Sequence, residues 1–205
     1  MNIELDNIKV YNPNKRNENV YCSKVMLDSN ELQFQLKKTE IEINKETGKC
    51  KISISDEEIK SLFFGISNVI ISKTSENSEK WFGKKLSSDD CSQIYKEACT
   101  NDILHCFIDS DTIFFDSSKS ELNVEELPDK MKGICLVKCG MVVFTKTSFF
   151  IRWELSQFKF KKDKTKISND IHLSEYSIVD LEEHNTPMEE DKDNLSKKIE
   201  NITLF

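Results

Sequence analysis

The chain has 205 residues and a formal net charge of −7, with 38% hydrophobic and 32% charged residues and only five glycines and three prolines. That composition excludes a collagen-like repeat, a disulfide scaffold and a wholly disordered chain, and leaves room for one domain with a proper core plus appendages. The first residues lack the basic and apolar regions of a signal peptide, and no apolar stretch approaches a membrane span, so an intracellular protein is expected.

From Ile3 to Ile54 the pattern has period two. Ile8 and Val10, Val25 and Leu27, then Leu32, Phe34 and Leu36, and Ile41 and Ile43 alternate with polar residues, which predicts half-buried strands. Tyr11 to Tyr21, rich in Asn and carrying Pro13, Lys15 and Arg16, is expected to be a loop. At Ser55 the period changes: Ser55 and Glu58 make a capping-box pattern ahead of Ile59, Leu62, Phe63, Ile66, Val69 and Ile70, which share a helical face.

A linker with Trp81, Phe82, Gly83, Lys84 and Lys85 is expected next, then a second helix after Ser87 and Ser88, with Ile94, Tyr95 and Ala98 on its buried side. Strands return at Ile103 to Phe107 and Ile113 to Phe115, and after a polar loop ending near Pro128 at Ile134 to Phe144 and Phe149 to Phe160. The text beyond Lys161 is polar and acidic, which predicts a flexible tail, with Leu195, Ile199 and Ile202 at the spacing of a short amphipathic helix.

Strands, two helices and more strands imply α+β with an antiparallel sheet carrying a two-helix insertion. An OB-like β-barrel satisfies this order, and so does an open sheet packed on the helices. Residues 1–165 are assigned to the folded, nucleic-acid-binding domain and 166–205 to the acidic, largely disordered tail.

No catalytic constellation is evident among these residues. The histidines are His105, read as a structural strand residue, and His172 and His184 in the polar tail. The seven cysteines form an odd set without a regular framework, which suits free thiols in a reducing compartment. Cys135 and Cys139, with His105 and Cys106, have the residue types of a zinc site. Both cysteines fall on one face of a strand with Val137, which favours small buried residues, so no metal, cofactor or enzymatic activity is expected.

Charge is the informative feature. Residues 130–166 hold ten lysines and arginines against Glu154 and Asp163, whereas residues 175–205 hold nine acids against three lysines. A cationic sheet followed by an anionic tail suggests a polyanion-binding surface with a tethered competitor.

Parity refines this. Phe149, Ile151, Trp153 and Leu155 are uniformly apolar and predict a core face. Phe150, Arg152, Glu154, Ser156, Phe158 and Phe160 then face outward, a mixture suited to stacking unpaired bases while cations contact phosphates. A bulge near Gln157 would reverse this parity and return Phe158 and Phe160 to the core.

Trp81-Phe82-Gly83-Lys84, a short helix, Lys132-Gly133-Ile134 leading to Val143-Phe144-Thr145-Lys146, and the run Phe149 to Gln157 together resemble the OB-fold single-stranded DNA-binding proteins of nucleocytoplasmic large DNA viruses. That group is related to the phage type with an acidic tail. The resemblance spans about residues 8–162. It implies that Ile151 and Trp153 are core, that Lys146 and Arg152 lie near the DNA path, and that a tail with a terminal aromatic residue contacts replication partners and covers the DNA groove. Here that tail carries Glu189, Glu190, Asp191 and Asp193 and ends in Phe205.

The expected function is sequence-independent single-stranded DNA binding in viral replication, recombination or repair, in the host cytoplasm or nucleus. Candidate DNA-binding residues are Lys132, Lys138, Lys146, Phe150, Arg152, Phe158, Phe160 and Lys162, with Lys15, Arg16, Lys84 and Lys85. Expected partners are single-stranded DNA and, through the tail, replication proteins, with a homodimer also open. The rival reading is a protein-interaction or virion structural component that docks through the basic sheet and tail.

Overall fold

The computed structural model describes residues 4–160. Strands β1 (Ile8–Val10), β2 (Asn14–Asn17), β3 (Val20–Ser23), β4 (Val25–Leu27), β5 (Gln33–Asn44) and β6 (Lys49–Ser53) precede helices α1 (Glu57–Phe82) and α2 (Ser88–Ile94). Strands β7 (Cys99–Thr100), β8 (Ile103–Phe107), β9 (Ile113–Asp116), β10 (Lys130–Phe144) and β11 (Phe149–Phe160) follow.

β5, β6, β8, β11 and β10 pair in that order and β10 pairs back onto β5, so five strands close into a barrel. Only the β8–β11 contact in this ring is parallel. The architecture is an OB-like α+β barrel, and the open sheet is excluded by the β10–β11 closure.

Closure requires the long strands to bend, and register shifts supply the bends. β5 passes two residues, Lys37 and Lys38, opposite Ile134, with Lys38 in the left-handed region at φ 52°. β10 bulges at Gly140 and β11 at Ser156. The second bulge is the parity reversal the sequence left open: Phe149, Ile151, Trp153 and Leu155 face inward as expected, and beyond Ser156 it is Phe158 that faces the core.

The core lies inside the barrel and beneath α1. Ile59, Phe63, Ile66 and Ile70 recur at helical spacing and are all buried. Phe63 meets Trp153 edge-on at 4.9 Å, and Phe34 of β5 closes the trio at 5.9 Å from each ring. These three aromatics tie helix to barrel.

Three local expectations are corrected. The N-cap of α1 is Asp56, whose carboxylate accepts from the Glu58 and Ile59 N–H groups, and not Ser55. Trp81 and Phe82 belong to the last turn of α1, which Gly83 ends at φ 67°, so they are helical and not linker. α2 is capped by Ser87 in a capping box with Asp90 but stops at Ile94, leaving Tyr95 and Ala98 beyond it.

The predicted Tyr11–Tyr21 loop contains β2 and forms a hairpin with β3, which extends the sheet from β10. Among the described residues no helix is long and apolar enough to cross a membrane. The expectations for residues 161–205, including Lys162, Glu189, Glu190, Asp191, Asp193 and Phe205, lie outside the described residues.

Candidate nucleic-acid interface

Barrel strands put alternate residues outside, and on β6 and β8 those residues are Lys49, Lys51, His105 and Phe107. Register sets Lys49 opposite Phe107 and Lys51 opposite His105. β11 adds Arg152 from the neighbouring strand. Its guanidinium carbon stands 4.0 Å from the centre of the Phe107 ring, and Lys49 Nζ stands 5.6 Å from it. Both distances are in the range of a cation–π contact.

Arg152 Nε donates to Glu154 Oε1 at 2.9 Å, and Lys138 Nζ lies 3.7 Å from Oε2 of the same carboxylate. Only 10% of the Glu154 side chain is exposed, against 28% for Arg152 and 26% for Lys138, so the carboxylate lies beneath the two cations. Nε is the only Arg152 atom with a hydrogen-bond partner among the described residues, which leaves both Nη groups to meet a ligand.

A second group assembles at the tip of the β10–β11 hairpin. Lys15 pairs with Tyr21 across β2–β3, and Tyr21 pairs with Phe144 across β3–β10, so the three side chains share a face. Phe82 packs on Phe144 at 5.4 Å and Trp81 at 5.9 Å, while Trp81 Nε1 donates to Asn12 Oδ1. Tyr21 and Phe82 each remain 41% exposed. Arg16 is exposed on β2, Lys146 in the hairpin turn, and Lys84 and Lys85 just past α1. Lys15, Arg16, Lys85 and Lys146 have no ion-pair partner among the described residues, while the charge of Lys84 bears on the Asp90 carboxyl.

The other sequence-predicted residues separate from these groups. Lys132 is exposed, but its ammonium lies 3.4 Å from Glu40, and neighbouring Lys130 lies 3.2 Å from Glu42. Strand pairing puts Lys130 opposite Glu42 and Lys132 opposite Glu40, so these two of the ten cations in the basic run are matched on β5. The hydrogen bond from Lys130, then the charges of Lys130 and Lys51, hold the Glu42 carboxyl below its usual range.

Phe150 is half-buried on the outer side of β11. Phe158 is 0% exposed and packs near Phe114, so it is corrected from stacking residue to core residue. Phe160 is half-buried and packs against the core. His105, read as structural, is exposed.

Lys49, Lys51 and Phe107 were not singled out by sequence reasoning. The signal was present in the strict alternation of Lys49, Cys50, Lys51, Ile52 and Ser53, which puts both lysines outside. The cysteines are packing groups. Cys135 and Cys139 face the core beside Val137, where burial pushes the Cys135 thiol up to about 12 and the Cys139 thiol well above its usual range. Among the described residues no cluster of His, Cys, Asp and Glu is arranged to hold a metal.

Fold and surface thus define a small OB-like barrel with two cation–aromatic groups on its outside. The chain belongs to the family of unknown function DUF5871, whose model matches residues 39–180. No curated protein matches it.

Among solved structures it is similar to the single-stranded DNA-binding protein of bacteriophage Enc34, at 11% identity and a TM-score of 0.41, over 78% of this chain and 93% of that one. The same phage protein in complex with single-stranded DNA gives a TM-score of 0.38 at 11% identity, covering 77% and 98%. Its C-terminal truncation gives 0.40 at 11% identity, covering 78% and 98%.

Proposed function

We propose that the chain binds single-stranded DNA without sequence preference, and that it does so in viral DNA replication, recombination or repair. The observation that carries this reading is the outer face of β6, β8 and β11, where Phe107 supports Arg152 and Lys49 and the Arg152 Nη groups have no hydrogen-bond partner among the described residues. A guanidinium lying on an aromatic ring offers a flat cationic plane for an unpaired base and a fork for a phosphate. Neither contact depends on base identity, so the surface suits coating and not sequence readout.

The hairpin-tip group continues this chemistry with exposed Tyr21 and Phe82 and the exposed cations Lys15, Arg16, Lys84, Lys85 and Lys146. Its lysines supply the salt-dependent part of binding through counterion release. The acidic segment after residue 175 competes with DNA for these cations and recruits replication proteins.

The test is fluorescence anisotropy of a labelled oligo-dT with the full-length chain and a truncation ending at Ser174, at low and moderate salt. Binding that weakens with salt and tightens on truncation supports the reading. No binding by either form moves the assignment to a docking component that uses the basic sheet on an acidic protein partner.

A further inference from the structure

The carboxylate of Glu154 is a paradox on a surface meant for phosphates. It is the acid of the cation–aromatic group, it is nearly buried, and a residue across the strand pair makes room for it: a Cβ on Gly140 would stand 2.4 Å from Glu154 Oε1 and 2.5 Å from Cδ. Gly140 is the bulged residue of β10 between the Cys139–Trp153 and Met141–Arg152 pairs, and its φ is not in the left-handed region. Space for the carboxylate, not backbone conformation, is therefore what glycine supplies here.

We propose, resting on the DNA-binding reading above, that Glu154 is the positioning residue of this interface and that Gly140 is the vacancy that seats it. The carboxylate accepts a hydrogen bond from Arg152 Nε and draws Lys138 to its other oxygen, which holds the guanidinium against Phe107 with its Nη edge outward. An arginine already held in its bound rotamer loses less freedom when DNA arrives. Because the two cations lie above the carboxylate, an approaching phosphate meets them first, and the repulsion it feels from Glu154 is the smaller effect.

The sign of the outcome separates this from simple charge counting, which says that removing an acid from a DNA-binding surface tightens binding. Here Glu154→Gln weakens oligo-dT binding by the full-length chain roughly threefold to tenfold, part of the loss caused by Arg152→Ala. Gly140→Ala, which keeps the charge but displaces the flexible carboxylate, gives a loss of the same order. Adding Glu154→Gln to Arg152→Ala gives no further loss.

A nitrogen-15 spectrum of the DNA-free protein gives the second readout. The Arg152 Nε–H signal, identified by its disappearance in Arg152→Ala, shifts in both Glu154→Gln and Gly140→Ala, whereas a merely structural defect lowers the melting temperature and leaves that signal in place. Tighter binding by Glu154→Gln, or an equal loss in the Arg152→Ala background, overturns the positioning role. Should Glu154→Gln fail to fold, Gly140→Ala decides the matter by the same two readouts, and wild-type binding with an unmoved signal overturns the role. No binding by the wild-type chain overturns instead the function on which the inference rests.

Discussion

Two sides of the same barrel carry lysines, and they carry them differently. Along the β5–β10 seam, Lys130 and Lys132 stand opposite Glu42 and Glu40 at 3.2 and 3.4 Å. Across β6, β8 and β11, Lys49 and Arg152 stand over Phe107, and the acid among them lies underneath. The two lysines of the basic run that lie on this seam are therefore not the most available cations among the described residues. Charge counted along one strand ignores the neighbour that hydrogen bonding puts beside it, and exposed pairs of this kind neutralise without adding much stability.

The largest effect breaks both sides at once, because they rest on one core. Trp153 contacts Phe34 and Phe63, so Trp153→Ala is expected to cost about 3–5 kcal/mol in urea unfolding, with binding lost through loss of the fold. A value below that of an ordinary surface substitution would mean that the trio does not tie α1 to the barrel.

The next prediction tests the contrast itself. Arg152→Ala and Phe107→Ala should each weaken oligo-dT binding by about 1–3 kcal/mol. The double substitution of Lys130 and Lys132 by alanine should change it by about 0.5 kcal/mol or less, since those cations are already paired. Equal losses from the two sides would remove the distinction. Conversely, replacing Glu40 and Glu42 by glutamine frees the two lysines. The slope of log affinity against log salt should then steepen by up to about 0.7 for each lysine that engages a phosphate.

Much of this was legible in the sequence, and the limits have physical causes. The barrel strands showed because each has one buried face: Ile41, Ile43, Ile52 and Leu104 alternate with polar residues and all face inward. β2 was invisible because all four of its residues, Asn14 to Asn17, are exposed; it is a strand only because β3 offers hydrogen bonds. Phe158 was misplaced because parity propagates until a bulge interrupts it, and Ser156, unlike a glycine, gives no compositional warning.

At the candidate site, Arg152 was singled out from the parity of its strand and Lys146 through the family resemblance. Phe107 and Lys49 were not, since their significance arises only when β6, β8 and β11 become neighbours. Gly140 carried no message until Glu154 was placed against it.

The smallest predicted effect sharpens the comparison by pH. Glu42 accepts from Lys130 and also faces Lys51 at 3.6 Å, and its carboxyl is held below the usual range by the Lys130 hydrogen bond first and by the two ammonium charges after it. A carboxyl whose folded pKa is depressed contributes stability that is fully present above its unfolded pKa and lost as pH falls through the folded value. Since Glu42 is open to solvent, the consequence for stability is slight. Its local consequence is clear: acidification releases Lys130 and Lys51 and makes the paired side resemble the unpaired one.

A carbon-13 titration of the Glu42 carboxyl should therefore show a midpoint below that of an ordinary glutamate. Lys130→Met should return it most of the way and Lys51→Met a smaller part. If Lys51→Met moves it further, the cross-strand partner on β6, and not the one on β10, controls this acid, and the β10 lysine is freer to meet a polyanion than its pairing with Glu42 implies.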